Sequence, residues 1–148
     1  MKKITFYAAL FAATHMFIAC EEEKIIPADE LPVISRTFIE THFPGVETTA
    51  IVREKELLDV DYTVYLSNGF DIDFTKSGDW DDIDGHTSPL PESILSLLPK
   101  SLPEYVAGAF PNLQITEVNK ERYGYEIGLS NDTDLKFDSA GRLIGIDD

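Results

Sequence analysis

The chain has a single cysteine, Cys20, in 148 residues, so it has no internal disulfide. Histidine is scarce at three residues. No His-x-x-x-His or Glu-x-x-His spacing occurs, and no zinc-type ligand set is written here. Basic residues are few: 12 Lys and Arg stand against 27 Asp and Glu, a net charge of −15. Such a surface repels phosphate backbones, which excludes a nucleic-acid partner. Long apolar runs are missing too. The run from Ile4 to Phe17 falls short of the ~20 residues of a spanning helix, and Thr14 and His15 interrupt it. No Gly-x-Ser-x-Gly elbow surrounds Ser67 or Ser130, and turn chemistry explains both better than nucleophilic catalysis. With no nucleophile–base pair legible, neither an enzyme nor a cofactor is expected.

What is present begins at the N-terminus. Met1-Lys2-Lys3 gives a basic start, a short apolar run follows, and Phe17-Ile18-Ala19-Cys20 closes it. This is the layout of a bacterial lipoprotein signal. Residues 1–19 are expected to be the signal peptide and Cys20 the lipidated first residue of the mature protein. Phe17 departs from the leucine usual at its position. A plain secretory peptide cleaved near Ala19 is the rival reading, and the placement of the only cysteine weighs against it. The expected location is the cell envelope, on the periplasmic side or at the surface of the outer membrane, with the membrane as partner through acyl chains on Cys20. Cleavage removes Lys2 and Lys3 but no acid, taking the net charge from −15 to −17. Residues 20–30 then read as an acidic, flexible tether. Glu21-Glu22-Glu23 equally resembles the export signal that sends some lipoproteins to the outer face of the outer membrane.

The remainder is written twice. Phe43-Pro44-Gly45-Val46 recurs as Phe110-Pro111-Asn112-Leu113. Tyr62 to Asn68 recurs as Tyr125 to Asn131, and Asp71-Ile72-Asp73-Phe74 as Asp134-Leu135-Lys136-Phe137. Gly78 matches Gly141, and Ile83-Asp84 matches Ile146-Asp147. Preserved order over this length points to a duplication. The repeats are expected over 31–85 and 102–148, joined by a linker over 86–101 that holds a short helix around Ile94.

Each repeat reads as a helix followed by about four short strands. Leu31, Ile34, Phe38 and Phe43 give the first helix an apolar stripe, and Pro44-Gly45 ends it. Leu102, Tyr105, Val106 and Phe110 repeat the scheme. In the strands, Tyr62, Val64, Leu66, Ile72 and Phe74 point one way and Asp71 and Asp73 the other. Tyr125, Ile127, Leu129, Leu135, Phe137, Leu143 and Ile146 copy the apolar set. The expected fold is therefore α+β: a duplicated helix plus four-strand antiparallel meander forming one sheet of roughly eight strands, with helices on one face and a polar, acidic face left open.

The helix ending Phe-Pro-Gly, the Tyr-x-Val-x-Leu-Ser-Asn-Gly hairpin and the Asp-x-Phe-x-x-x-Gly-x-Trp return resemble the PepSY-like periplasmic proteins. That group is similar in fold to the β-lactamase inhibitor protein. The resemblance spans about residues 30–148 and rests on turn and core positions. It implies a binding module that uses one sheet face and its hairpin loops; fold alone does not fix the target.

The open face supplies the candidate site residues: Tyr65, Asp71, Asp73, Glu126 and Asp134. Tyr65 is an aromatic among small polar neighbours, the kind of residue that anchors interfaces. Asp71, Asp73, Asp79, Asp81, Asp82 and Asp84 fit no EF-hand spacing, and Asp71 and Asp73 are set apart from the rest by a turn, so a solvated strand face is preferred to a calcium site. His42 in the last helical turn suits the helix dipole as an imidazolium, and Trp80 is read as core. The function expected is a lipid-anchored, non-enzymatic envelope binding module for an unidentified protein or peptide. The alternative is an inhibitor or modulator of an envelope peptidase or other hydrolase. A cation-binding protein ranks third, and a monomer is expected.

Overall fold

A computed structural model describes residues 22–147; Cys20 and the expected signal peptide lie outside the described residues. The elements run β1 (Glu22–Ile25), a 3-10 turn (Ala28–Glu30), α1 (Val33–His42), β2 (Thr48–Glu56), β3 (Asp59–Leu66), β4 (Asp71–Phe74), β5 (Trp80–Asp84), α2 (Glu92–Leu95), α3 (Ser101–Ala109), β6 (Ile115–Glu121), β7 (Gly124–Leu129), β8 (Asp134–Asp138) and β9 (Leu143–Asp147). The nine strands form one sheet in sequence order, each antiparallel to the next.

Alternation decides which face is buried. Val64, Ile72, Phe74, Ile83, Val118, Ile127, Leu135 and Phe137 all point to one side and are fully buried. Both longer helices cover that side. Phe38 of α1 meets Phe74 edge-on at 5.8 Å between ring centroids, and Tyr105 of α3 meets Phe137 at 5.7 Å. Removal of this apolar area from water is the main force holding helices to sheet. The class is α+β, as expected.

A helix followed by four strands occurs twice, as α1 with β2–β5 and α3 with β6–β9. Local details coincide. Ser67 and Ser130 each accept a hydrogen bond through Oγ from a backbone amide, of Glu47 and Gln114, at 3.2 Å. Both helices end on a phenylalanine of nearly the same conformation, Phe43 (φ −127, ψ 55) and Phe110 (φ −130, ψ 58).

Three expectations are corrected. Residues 22–30 are not a flexible tether: β1 pairs with β2, the Ile26 amide donates to Ile51 O at 2.9 Å, and Ile26 and Leu31 are buried. This ninth strand is held by backbone pairing at the sheet edge. Its four side chains are all exposed, so no apolar alternation announces it. Second, Ile34 is 57% exposed, and Ser35 takes the inward position one residue on. Gly78 explains the shift. A side chain there would lie 2.8 Å from Pro32 Cβ and 3.0 Å from Ser35 Oγ, so the helix approaches the turn with a small residue. Ser35 Oγ then donates to Gly78 O at 3.0 Å and is satisfied. Third, Ile146 lies opposite Leu135 on the inner face, yet on the edge strand it remains 47% exposed.

Candidate binding face

Register builds the opposite face. Opposed residues of antiparallel neighbours share a side, so the pairings chain into two rows across the sheet. One row runs Thr63, Asp73, Asp82, Asn119, Glu126, Lys136, Gly145. The other runs Tyr65, Asp71, Asp84, Glu117, Gly128, Asp134, Asp147. Eight of these side chains are carboxylates and one is a lysine.

All five sequence-derived candidates sit on this face. Asp73 and Glu126 are in the first row, and Tyr65, Asp71 and Asp134 in the second. The expected separation of Asp71 and Asp73 from the later aspartates is corrected. The β4–β5 turn folds back and sets Asp82 opposite Asp73, and Asp84 opposite Asp71. Tyr65 stands at the margin of the acidic field, 38% exposed.

Burial first, and then crowding of like charge, shifts these groups toward the protonated form. Burial, then Glu117, Asp73 and Asp84, push Asp82 up to about 7. Its Oδ1 is buried with no hydrogen-bond partner among the described residues. Burial also raises Asp73, opposed by a hydrogen bond from Thr63. Glu117 and Asp134 are raised by burial and then by neighbouring carboxylates, Asp84 first for Glu117 and Glu126 first for Asp134.

Two basic groups serve the field from within. His86 holds Asp71 through Nε2 and Asp84 through Nδ1, each at 2.9 Å, and the bond to Asp71 raises its pKa. Lys136 binds Asp147 and lies 3.9 Å from Glu126. Neither His86 nor Asp82 was singled out as a site residue from the sequence. Their proximity to Asp71 and Asp73 depends on a register no local pattern states. Gly128 leaves a gap in the second row. There a shallow pocket of about 430 Å³ opens, lined by Asp84, His86, Glu117, Asp132 and Asp134. Among the described residues, no group of three or more His, Cys, Asp or Glu side chains is arranged to hold a metal ion.

Other residues fall outside the face. Trp80 is half-buried against the core, with Lys120 Nζ 3.7 Å from its ring centroid. His42 packs at a tilt against Phe38, with ring centroids 4.5 Å apart, and burial lowers its pKa. That disfavours the imidazolium expected at the helix end.

The architecture is that of a sheet-and-helix domain: one face committed to the core, the other a continuous charged surface. The chain belongs to the family described as "Putative beta-lactamase-inhibitor-like, PepSY-like", whose pattern matches residues 60–145, more than half its length. It is similar to a Bacteroides thetaiotaomicron protein described as a "putative calcium-regulated periplasmic protein". That match has 29% identity and a TM-score of 0.78, and covers 85% of this chain and 97% of the other. A "putative periplasmic protein from DUF2874 family" of Bacteroides vulgatus is 31% identical, with a TM-score of 0.77 over 86% of this chain and 98% of its own. A second periplasmic protein of that organism is 26% identical, with a TM-score of 0.79 and coverage of 86% and 100%. No curated protein matches. The periplasmic description of these neighbours supports an envelope location for this chain.

Proposed function

We propose that this protein is a lipid-anchored, non-enzymatic binding module of the envelope, whose acidic sheet face takes a basic protein or peptide. One observation carries the reading: eight carboxylates in two registered rows that share a single lysine. Like charges so placed raise one another's pKa, and an arriving cationic group relieves that cost. Tyr65 at the margin supplies an aromatic anchor of the type that carries binding energy. The repeated helix-plus-four-strand order and the coincident serine contacts support descent of the two halves from one duplicated unit, in the arrangement of the β-lactamase inhibitor protein.

The test is affinity capture from native envelope extract with the full chain as bait. A Tyr65→Ala/Asp73→Lys variant is the first control. A Glu40→Lys/Glu104→Lys variant with equal or larger charge change off the face is the second. A partner kept by the second and lost by the first supports the reading; equal capture by all three overturns it. Modulation of an envelope hydrolase is a second outcome of the same contact, supported by the family's inhibitor-like description, and shows as dose-dependent loss of that enzyme's activity. The calcium in the neighbour's name has no matching ligand set among the described residues here, so no cation step enters the proposal.

A further inference from the structure

The β2–β3 hairpin turns on two leucines. Leu57 and Leu58 are 79% and 91% exposed. Glu56 pairs with Asp59, so these two residues are the entire turn. Leu57 holds φ +48, a conformation that favours glycine at the first position of such a turn. Neither burial nor turn geometry accounts for leucine here. The corresponding β6–β7 hairpin closes instead on Arg122-Tyr123.

The position of this turn links it to the N-terminus. β4 reaches only Phe74, opposite Tyr62, so the hairpin runs on beyond its neighbour through Asp61, Val60 and Asp59. β1 lies along this projection with Glu22 opposite Lys55, two residues before Leu57. Only Glu21 separates Cys20 from Glu22. At ~3.5 Å per residue, the two Cα atoms are at most about 7 Å apart. A lipid on Cys20 therefore enters the bilayer beside the leucine turn. Val33 and Ile34, 66% and 57% exposed, start α1 at the same end, with Ile34 against the β4–β5 turn at Gly78.

We infer that the Leu57-Leu58 turn is a second membrane contact, which inserts into the lipid interface beside the acyl anchor and fixes the domain's orientation. This rests on the acylation of Cys20 proposed above. Two leucines add too little apolar area to anchor a protein alone, but with acyl chains in place they decide how it stands. The flanking acids Glu22, Glu23, Glu54, Glu56, Asp59 and Asp61 outnumber Lys24, Arg53 and Lys55, so the preferred surface is zwitterionic and added anionic lipid weakens the contact. A second copy of the chain is the competing occupant.

The test uses the full chain, acylated in bacteria and reconstituted in phosphatidylcholine vesicles. An environment-sensitive fluorophore is placed at Leu58→Cys or, at the opposite end of the sheet, at Asn131→Cys; acylation leaves the introduced thiol as the only free one. The expected result is iodide quenching of the Leu58 label at least about threefold below that of the Asn131 label. On vesicles, trypsin cleavage at Lys55 should be about tenfold faster in a Leu57→Gly/Leu58→Ser variant, whose turn is better suited to the backbone. Equal quenching with acylation verified by mass overturns the inference and leaves the anchor standing. A mass without acyl chains overturns both. Shielding that persists in a Cys20→Ala background without vesicles assigns the turn to a second copy and overturns the membrane contact.

Discussion

The two halves of the molecule bury nearly the same residues and expose different ones. On the inner side Ile72 and Phe74 answer to Leu135 and Phe137, and all four are fully buried. On the outer side β4 and β5 carry Asp71, Asp73, Asp82 and Asp84, whereas β8 and β9 carry Asp134, Lys136, Gly145 and Asp147. A lysine and a glycine stand where the first half has two carboxylates, and Lys136 ties down Asp147. The core constrains both halves alike because close packing punishes every change of volume. The open face is free to differ, and its uncompensated charge gathers on β4 to β7, where the halves meet.

That contrast can be broken first at the core. Phe74→Ala and Phe137→Ala should each cost about 3–5 kcal/mol by denaturant unfolding. Similar losses in one cooperative transition fit a shared core; a second transition in either variant would show that the halves unfold separately. The turns come next. Gly78 (φ +94) and Gly141 (φ +79) each face the start of a helix, at Pro32 and Ser35 or at Pro99 and Ser101. Alanine at either should cost about 2–3 kcal/mol, since steric overlap adds to backbone strain.

The pH dependence sharpens the comparison on the outer side. Asp82 has its folded pKa raised from 3.8 to about 7, so between those values the folded state holds a proton that the unfolded chain has lost. Stability therefore falls as pH rises through this window. Asp73, Glu117 and Asp134 are raised and act in the same sense. The raised His86 adds stability that is fully present below 6.5 and lost as pH rises through its folded pKa. Asp138, lowered by bonds from Arg142 and Ala140, acts oppositely, and its contribution is lost only as pH falls below the usual aspartate range. Tm should be higher at pH 5 than at pH 8. After discounting for solvent screening, the difference due to Asp82 is on the order of 2 kcal/mol, and Asp82→Asn should remove most of it. The smallest effect comes from exchanging the halves' characters. Asp73→Lys should stabilise the protein by about 1 kcal/mol at pH 8 and Lys136→Asp should destabilise it, with both effects shrinking in high salt.

Much of the inner face was legible because alternation is local. Tyr62-Val64-Leu66 and Tyr125-Ile127-Leu129 state their side of the sheet in five residues each. Helix ends were legible in Phe43-Pro44-Gly45 for the same reason. β1 was hidden because an edge strand with every side chain in water carries no apolar signal, and Glu21-Glu22-Glu23 resembles a linker. The phase of α1 was misread at Ile34 because only the nearby Gly78 turn makes Ser35 the inward residue. The assembly of Asp71, Asp73, Asp82, Asp84 and Glu117 into neighbouring rows, with His86 over one end, needed strand register, which joins residues up to 46 positions apart in the chain.

The most direct test of the acidic face is a carbon-detected NMR titration of its carboxyl groups, alone and with a lysine-rich decapeptide. The account predicts that Asp82 titrates near 7 in the free protein, and that the peptide lowers its pKa and those of Asp73, Glu117 and Asp134 while leaving the backbone amide signals of α1 and α2 unmoved. An Asp82 that titrates near 4, or a peptide that moves the amide signals of α1 and α2 as much as those of the face, would contradict it.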